Sequence, residues 1–136
     1  MASSLYLGLV LSFALLVTVV TSSMLVGAPV TTYPNTDEVR NATNFALKEF
    51  NRRSNDARPY KLIKMISVKS QVVAGIYYFL TMKIGVTTCR KNAKPNLEAC
   101  ELARGDYAEM LICTFIVYVV AWENIMSLSH SDCVAA

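Results

Sequence analysis

The 136-residue sequence predicts one α+β domain, in which a single N-terminal helix is wrapped by a twisted antiparallel sheet of four to five strands. Three observations predict this fold class. Apolar side chains recur at helical spacing once, over residues 37–53, and four strand-like runs follow without a second helical repeat, which favours an antiparallel sheet. Four cysteines, all beyond residue 88, predict two disulfides in the C-terminal half.

The first 23 residues have the character of a cleaved secretory signal peptide. Residues 1–36 contain no Asp, Glu, Lys, Arg or His, and Leu5 to Val20 is almost continuously apolar, followed by the small residues Thr21-Ser22-Ser23. The alternative, an uncleaved membrane anchor, requires roughly 20 apolar residues, more than this run provides. We therefore expect a signal peptide over residues 1–23, one domain over residues 24–136, and a secreted, extracellular product without a membrane segment.

A helix is expected over residues 37–53. Thr36 offers a capping oxygen, and the carboxylates of Asp37 and Glu38 oppose the helix dipole in the first turn. At about 100° per residue one narrow apolar stripe forms, and its small residues allow a curved sheet to pack closely. The stripe and its flanks consist of Val39, Ala42, Thr43, Ala46, Leu47 and Phe50.

Strand-like runs lie near residues 60–70, 75–88, 109–120 and 124–133. In the first run the apolar phase slips between Met65 and Ile66, which predicts a β-bulge or a strong twist. In the second run alternate residues share one face, as in a half-buried strand; they are Ile76, Tyr78, Leu80, Met82 and Ile84. The polar segment between Lys91 and Tyr107 is expected to be a long appended loop.

A hairpin tip without charge is predicted at Gln71-Val72-Val73-Ala74-Gly75, between the first two strand runs. Solvent-facing hairpins usually turn on Asn-Gly or Asp-Gly. An exposed apolar tip therefore indicates recognition of another protein. The alternative is a loop that folds back onto its own core.

The charge pattern and the cysteines narrow the function class. The formal charge is +3, from 13 basic and 10 acidic residues, and the basic residues are scattered, so we expect neither nucleic acid nor an anionic membrane as a partner. Four cysteines in a secreted chain leave three disulfide pairings open. A structural zinc site is the alternative, but the close Cys-x-x-Cys pairs typical of such sites are absent from the sequence.

The sequence predicts that the chain is not an enzyme. Its one histidine, His130, lies three residues before Cys133, and paired cysteines would leave no thiol for a cysteine nucleophile. There is no Gly-rich phosphate loop, no recognisable carboxylate pair and no His/Asp cluster for a metal. We expect an exposed His130 and no cofactor.

Four features in order resemble the secreted (type 2) cystatins over nearly all of the chain after the leader. They are Gly27, the pentapeptide Gln71–Gly75, the pair Ala121-Trp122 and the cysteines at 89, 100, 113 and 133. The resemblance implies the cystatin fold, the disulfides Cys89 to Cys100 and Cys113 to Cys133, and reversible competitive inhibition of papain-like cysteine proteases of the cathepsin type.

In cystatins three apolar elements line one edge and enter the protease cleft as a wedge. Their matches here are Leu25-Val26-Gly27, Gln71-Val72-Val73-Ala74-Gly75 and Ala121-Trp122. For the first element the alternative is a flexible terminus. For Trp122 the alternative is a position in the core. The family usually has Pro-Trp where this chain has Ala121-Trp122, a loss of roughly 0.5 to 1 kcal/mol that predicts weaker binding.

Two further sites follow from short motifs. Ser54-Asn55-Asp56 resembles the loop by which some secreted cystatins inhibit legumain, with Asn55 in the specificity pocket; the alternative is an ordinary helix-ending turn. Asn41-Ala42-Thr43 is the only N-glycosylation sequon, and the helical wheel turns Asn41 away from the apolar stripe. The alternative there is an unused sequon.

The competing function class is a non-inhibitory cystatin-fold binding module, similar to the pro-regions of cathelicidins. The intact pentapeptide argues against it. Because only three residues follow Cys133, we also expect no released basic peptide. A monomer is expected, with hairpin-mediated domain swapping as the alternative.

Overall fold

The computed structural model describes residues 28–136, which form one α-helix and a five-stranded antiparallel sheet in the order β1-β2-β3-β4-β5. The elements are β1 (Val30–Thr31), α1 (Asp37–Arg53), β2 (Tyr60–Val73), β3 (Gly75–Val86), β4 (Met110–Val120) and β5 (Ile125–Ala135). The predicted α+β class is confirmed. The predicted signal peptide over residues 1–23, and Leu25, Val26 and Gly27, lie outside the described residues.

Helix α1 begins and ends where the sequence predicts. The Thr36 hydroxyl accepts a hydrogen bond from the Val39 N–H at 3.2 Å, which satisfies one of the free donors of the first turn. Arg52 and Arg53 occupy the last turn, where cations complement the helix dipole. The Ser54 N–H donates to the Phe50 carbonyl at 3.0 Å and closes the helix.

The core lies between α1 and the face of the sheet that the helix covers. The small helix residues Ala42 and Ala46 are fully buried, and α1 contacts all four long strands. The Phe50 ring meets Tyr60 and Phe115 edge-on, with ring centroids 5.5 and 5.9 Å apart. The predicted inward face of β3 is buried, with Ile76 packed at its margin; its buried members are Tyr78, Leu80, Met82 and Ile84.

Strand β2 departs from regular pairing at two places. The register with β3 shifts between Met65 and Ser67, which confirms the irregularity predicted at Ile66, and it also shifts between Leu62 and Lys64. The strand continues to Val73, past the predicted end at Ser70. The hairpin tip is therefore narrower than the pentapeptide, because Gln71 and Val72 are still paired with β3 and only Ala74 makes the turn.

Two disulfides close the C-terminal half. Cys113 and Cys133 face each other on β4 and β5, with their Cα atoms 4.1 Å apart. Cys89 and Cys100 close the segment that follows β3, with a Cα separation of 5.8 Å. These pairs use all four cysteines of the chain. Across residues 28–136, no helix combines the length and hydropathy needed to span a bilayer.

Candidate functional site

The two hairpin turns lie side by side at one end of the sheet, here termed the turn end (residues 71–75 and 120–125). Strand β3 pairs with β4 through Ile76 and Val119, so the turn that precedes Ile76 is adjacent to the turn that follows Val119. The opposite end, termed the loop end, contains residues 54–60 and 87–109. Of the eleven positions at the turn end, only Glu123 carries a charge.

The first turn presents apolar surface on a constrained backbone. The Val72 side chain is 65% exposed, and Ala74 is exposed beside it. Gly75 has φ +114°, a conformation that residues with a Cβ rarely adopt. A Cβ there would also lie 2.8 Å from the Val119 carbonyl oxygen, so close packing against β4 requires glycine at this position.

Tyr118 holds this turn from the neighbouring strand. Its hydroxyl donates a hydrogen bond to the Ala74 carbonyl, and its ring lies against that of Tyr77 with centroids 4.7 Å apart. Tyr118 is not among the site residues predicted from the sequence. A hydroxyl within the apolar run 110–122 is a sign that a partner is needed, but nothing local identifies that partner as a residue 44 positions away.

The second turn exposes the tryptophan. Residues Ala121–Glu123 form a single 3₁₀ turn, which Asn124 ends in the left-handed conformation at φ 52°. Asparagine tolerates this conformation better than most residues. The Trp122 side chain is 72% exposed, so the core alternative for this residue is wrong. Val72 and Trp122 thus give the turn end two exposed apolar projections.

Strand β1 leads the chain toward the same end. Val30 pairs with Ser70 and Thr31 with Lys69, antiparallel to β2, so the chain before Val30 runs in the direction of Gln71. The Thr32 and Ser70 hydroxyls, 2.7 Å apart, fix this arrangement. Leu25, Val26 and Gly27 precede the described residues.

The turn end is a contact surface without reactive groups. Residues 71–75 and 120–125 contain no histidine, cysteine, serine or lysine. Within residues 28–136, no cluster of His, Cys, Asp and Glu is placed to hold a metal. His130 is exposed on β5, as predicted, and is opposite Ile116 on β4. What this arrangement offers a partner is apolar area and backbone groups.

At the loop end, Asn55 is exposed in a turn (residues 54–56) that hydrogen bonds hold in place. The Ser54 hydroxyl accepts from the Asp56 N–H at 3.1 Å, and the Lys91 ammonium donates to the Ser54 carbonyl at 3.1 Å. Asn55 is exposed, and its side chain makes no hydrogen bond with any residue from 28 to 136. The turn is therefore held by its neighbours while the Asn55 amide faces solvent.

Helix α1 carries the predicted glycosylation residue Asn41 and, near its C-terminal end, the ion pairs of Glu49. Asn41 is exposed, so a glycan there would extend into solvent. Glu49 accepts hydrogen bonds from the Arg52 guanidinium at 3.1 and 2.8 Å and lies 3.4 Å from Arg53. The Arg52 hydrogen bond lowers the pKa of Glu49.

Comparison with known proteins places this geometry in a family. A family model described as a cystatin domain matches residues 27–122. Cystatin of Gallus gallus is 40% identical over 112 residues, covering 82% of this chain and 80% of that protein. Cystatin-C of Saimiri sciureus is 37% identical over 110 residues, covering 80% and 75%. The crystal structure of dimeric human cystatin F is 27% identical, with a TM-score of 0.75 and coverage of 88% and 96%.

Proposed function

The chain belongs to the cystatin family, and we propose that it is a reversible, competitive inhibitor of papain-like cysteine proteases that blocks the active-site cleft with its turn end. Cystatins are protease inhibitors rather than enzymes, so the expectation that the chain is not an enzyme agrees with this membership. The observation that carries the proposed mechanism is the pairing of two exposed turns at one end of the sheet, where Glu123 is the only charged residue.

The physical basis of this inhibition is burial without reaction. Val72 and Trp122 are exposed in the free protein, and transfer into a cleft removes their apolar surface from water. A large aromatic side chain in such a position is a typical interface hot spot. The pinned backbone of the first turn limits the conformational entropy lost on binding. Substrate is excluded because the turns occupy its place, and binding reverses because no covalent bond forms.

The N-terminal segment is the third element of the proposed wedge. Strand β1 leads toward the turn end, which supports a contact of Leu25, Val26 and Gly27 with the same cleft. Glycine suits a close approach to a catalytic centre because it has no Cβ. Ala121, where relatives of this type usually have proline, remains a predicted cause of weaker binding.

Titration of active papain with the disulfide-intact protein, residues 24–136, tests the proposal. We expect the wild-type protein to abolish papain activity stoichiometrically. Trp122→Ala should lower the affinity for papain by at least about thirtyfold, since hot-spot truncation typically costs about 2 kcal/mol or more. Val72→Asp should weaken papain inhibition more than Trp122→Ala does, because it forces a charge into an apolar contact.

The matched control is Val134→Asp. Val134 is 59% exposed on β5, near the end of the strand farthest from the turn end. The substitution therefore adds the same charge at a comparably exposed valine, but away from the proposed contact surface. Equal losses for Val72→Asp and Val134→Asp would contradict a wedge at the turn end. A folded wild type that leaves papain active would favour a non-inhibitory binding module.

Secretion and maturation belong to the same proposal. We propose that residues 1–23 are removed as a signal peptide and that residues 24–136 act extracellularly as a monomer. The N-terminal sequence and mass of protein from the medium of eukaryotic cells test cleavage, and light scattering tests the monomer. A glycosidase-sensitive mass increase, lost in Asn41→Gln, would establish the glycan.

A second candidate function is inhibition of legumain through Asn55. The supporting observation is the exposed Asn55 amide between anchored neighbours at the loop end, remote from the turn end. Asn55→Ala should abolish legumain inhibition and leave papain inhibition unchanged. Loss of both activities would indicate misfolding, and no legumain inhibition by wild type would remove this candidate.

A further inference from the structure

An open groove of about 800 Å³ lies at the loop end, apart from the proposed wedge. Its walls are the exposed side of the C-terminal half of α1, the start of β2 and residues 91–98. The described lining contains five cations and one carboxylate, Glu98; the cations are Lys48, Arg52, Lys61, Lys91 and Lys94. We refer to it as the basic groove.

The fold, not the sequence, concentrates this charge. The five cations come from three separate segments, at residues 48–52, 61 and 91–94, and therefore appear scattered along the chain. Closure of the segment after β3 by the Cys89–Cys100 disulfide brings the third group beside the first two. Basic residues that are scattered along the sequence are therefore concentrated on this face of the fold.

The cations differ in how far other groups already neutralise them. Arg52 shares its charge with Glu49 at 2.8 Å. Lys61 and Lys91 donate to the carbonyls of Cys100 and Ser54, at 2.5 and 3.1 Å, which uses one of three N–H donors and cancels no charge. Lys48 and Lys94 form no ion pair with any residue from 28 to 136. The groove therefore retains a net positive charge.

We propose that the basic groove binds a sulfated polysaccharide. Four of its five cations are ammonium groups, point charges that suit sulfate esters spaced along a flexible chain. The groove is open, so a chain can pass through it. Leu62 and Pro95 supply apolar surface for the C–H faces of sugar rings, and Asn44 supplies an amide for their hydroxyls. The described lining has no aromatic side chain, which disfavours single-stranded nucleic acid because bases stack on aromatic rings.

Binding in this groove leaves the turn end free. The groove begins at β2 residues Lys61 and Leu62, whereas the proposed wedge begins at Gln71 on the same strand, about 30 Å away at 3.3 Å per residue. A polysaccharide and a protease could then occupy the same molecule. The proposal thus stands or fails independently of papain inhibition.

The test is the binding of a heparin hexasaccharide by calorimetry near 0.15 M salt, with elution from immobilised heparin as a second measurement. The groove variant is Lys48→Gln with Lys94→Asn; asparagine is chosen because residue 94 has φ 48°. We expect a loss of affinity on the order of tenfold or more, from a typical contribution of about fivefold per cation at an anionic surface. Added salt should weaken wild-type binding by screening.

The control variant is Lys69→Gln with Arg104→Gln, two exposed cations that do not line the groove and whose removal changes net charge equally. It should bind heparin almost as wild type does, and both variants should keep the wild-type unfolding temperature and papain inhibition. Equal losses in the two variants would reduce the effect to net charge and overturn the proposal. The proposal would also be overturned if the wild-type protein did not bind heparin near 0.15 M salt, or if it bound an oligothymidylate of the same charge with equal affinity.

Discussion

Tyr118 is the residue that couples the two turns. It lies on β4, three positions before Ala121, yet its hydroxyl bonds to the Ala74 carbonyl in the other turn. Its ring also fills the space that a side chain at position 75 would need. The conformation of the pentapeptide thus depends on a side chain that the pentapeptide does not contain.

Tyr118→Phe should weaken papain inhibition with little effect on stability. The phenyl ring keeps the contact with Tyr77, and only the hydrogen bond to Ala74 is lost, so we expect an increase of about two- to tenfold in the inhibition constant, corresponding to roughly 0.5–1.5 kcal/mol. Inhibition constants and chemical denaturation would be measured on the same preparations.

Tyr77→Phe is the matched control for this prediction. Tyr77 is on the adjacent strand in the same aromatic pair, and its hydroxyl makes no hydrogen bond within residues 28–136. Its removal should leave inhibition unchanged. A Tyr118→Phe protein that inhibits as tightly as Tyr77→Phe would show that the first turn keeps its shape without the hydroxyl.

At the scale of elements, Asn51 fastens α1 to the sheet. Its carboxamide donates to the Tyr60 carbonyl at 2.9 Å and accepts from the Tyr60 N–H at 2.8 Å, so one side chain satisfies both backbone groups of the first β2 residue. Tyr60 is only 1% exposed, which makes these groups costly to leave without partners.

Asn51→Ala is expected to lower the free energy of unfolding by about 2–4 kcal/mol, because two buried backbone groups lose their partner. Denaturant unfolding measures the change. Asn44→Ala is the control, since Asn44 is exposed on the same helix and undergoes the same gain in helix propensity. If the two variants are equally stable, the Asn51 bridge contributes nothing measurable.

The first half of β2 combines lysines and register shifts at an edge of the sheet. Among residues 28–136, β1 pairs with β2 only at Lys69 and Ser70, so no described strand lies beside the first half of β2 on that edge. Lys61 and Lys64 and the two register shifts lie in this half. Charges and irregularities of this kind discourage pairing with another chain, which is consistent with the monomer proposed above.

The sequence predicts the elements better than it predicts their contacts. The limits of α1 follow from Thr36 and Ser54, and the inward face of β3 follows from its alternation, because both signals are local. Asn51 and Tyr118 were not foreseen, since each acts on a backbone group that only the tertiary fold brings near. The basic groove escaped prediction for the same reason. The sequence predicted an exposed Trp122 but left a core position as the alternative, which the structure excludes, and the narrow tip at Ala74 required the structure as well.

For the whole molecule, buried tyrosines link stability to alkaline pH. Burial, followed by a hydrogen bond with Glu109, raises the pKa of Tyr60, and burial also raises the pKa of Tyr78. In the unfolded chain tyrosine ionises near pH 10. Because ionisation then favours the unfolded state, stability from these groups is complete below about pH 10 and falls as pH rises further.

The unfolding temperature should therefore decline more steeply above about pH 10 in wild type than in Tyr60→Phe, which lacks the titrating group. Thermal unfolding followed by circular dichroism between about pH 8 and pH 11 measures the difference, with reversibility checked at each pH. Parallel curves for the two proteins would mean that Tyr60 ionisation is not linked to unfolding.

The two ends of the molecule should respond separately to loss of a disulfide. Cys89 and Cys100 are 11 positions apart and close the loop end, whereas the turn end is held by strand pairing and Tyr118. Replacing both with serine should lower the free energy of unfolding by about 3 kcal/mol, from the closure entropy of a short loop. At 25 °C most molecules should remain folded, since domains of this size are typically stable by roughly 5–15 kcal/mol.

Papain inhibition by this double variant should then match wild type, while heparin binding should fall, because Lys91 and Lys94 lose the closure that holds them beside α1. Measuring both on one preparation separates the ends, since global unfolding would abolish the two activities together. A variant that keeps its heparin affinity would show that the basic groove does not depend on this disulfide. One that stays folded but loses papain inhibition would show that strand pairing alone does not isolate the turn end, and the wedge would then depend on the whole sheet.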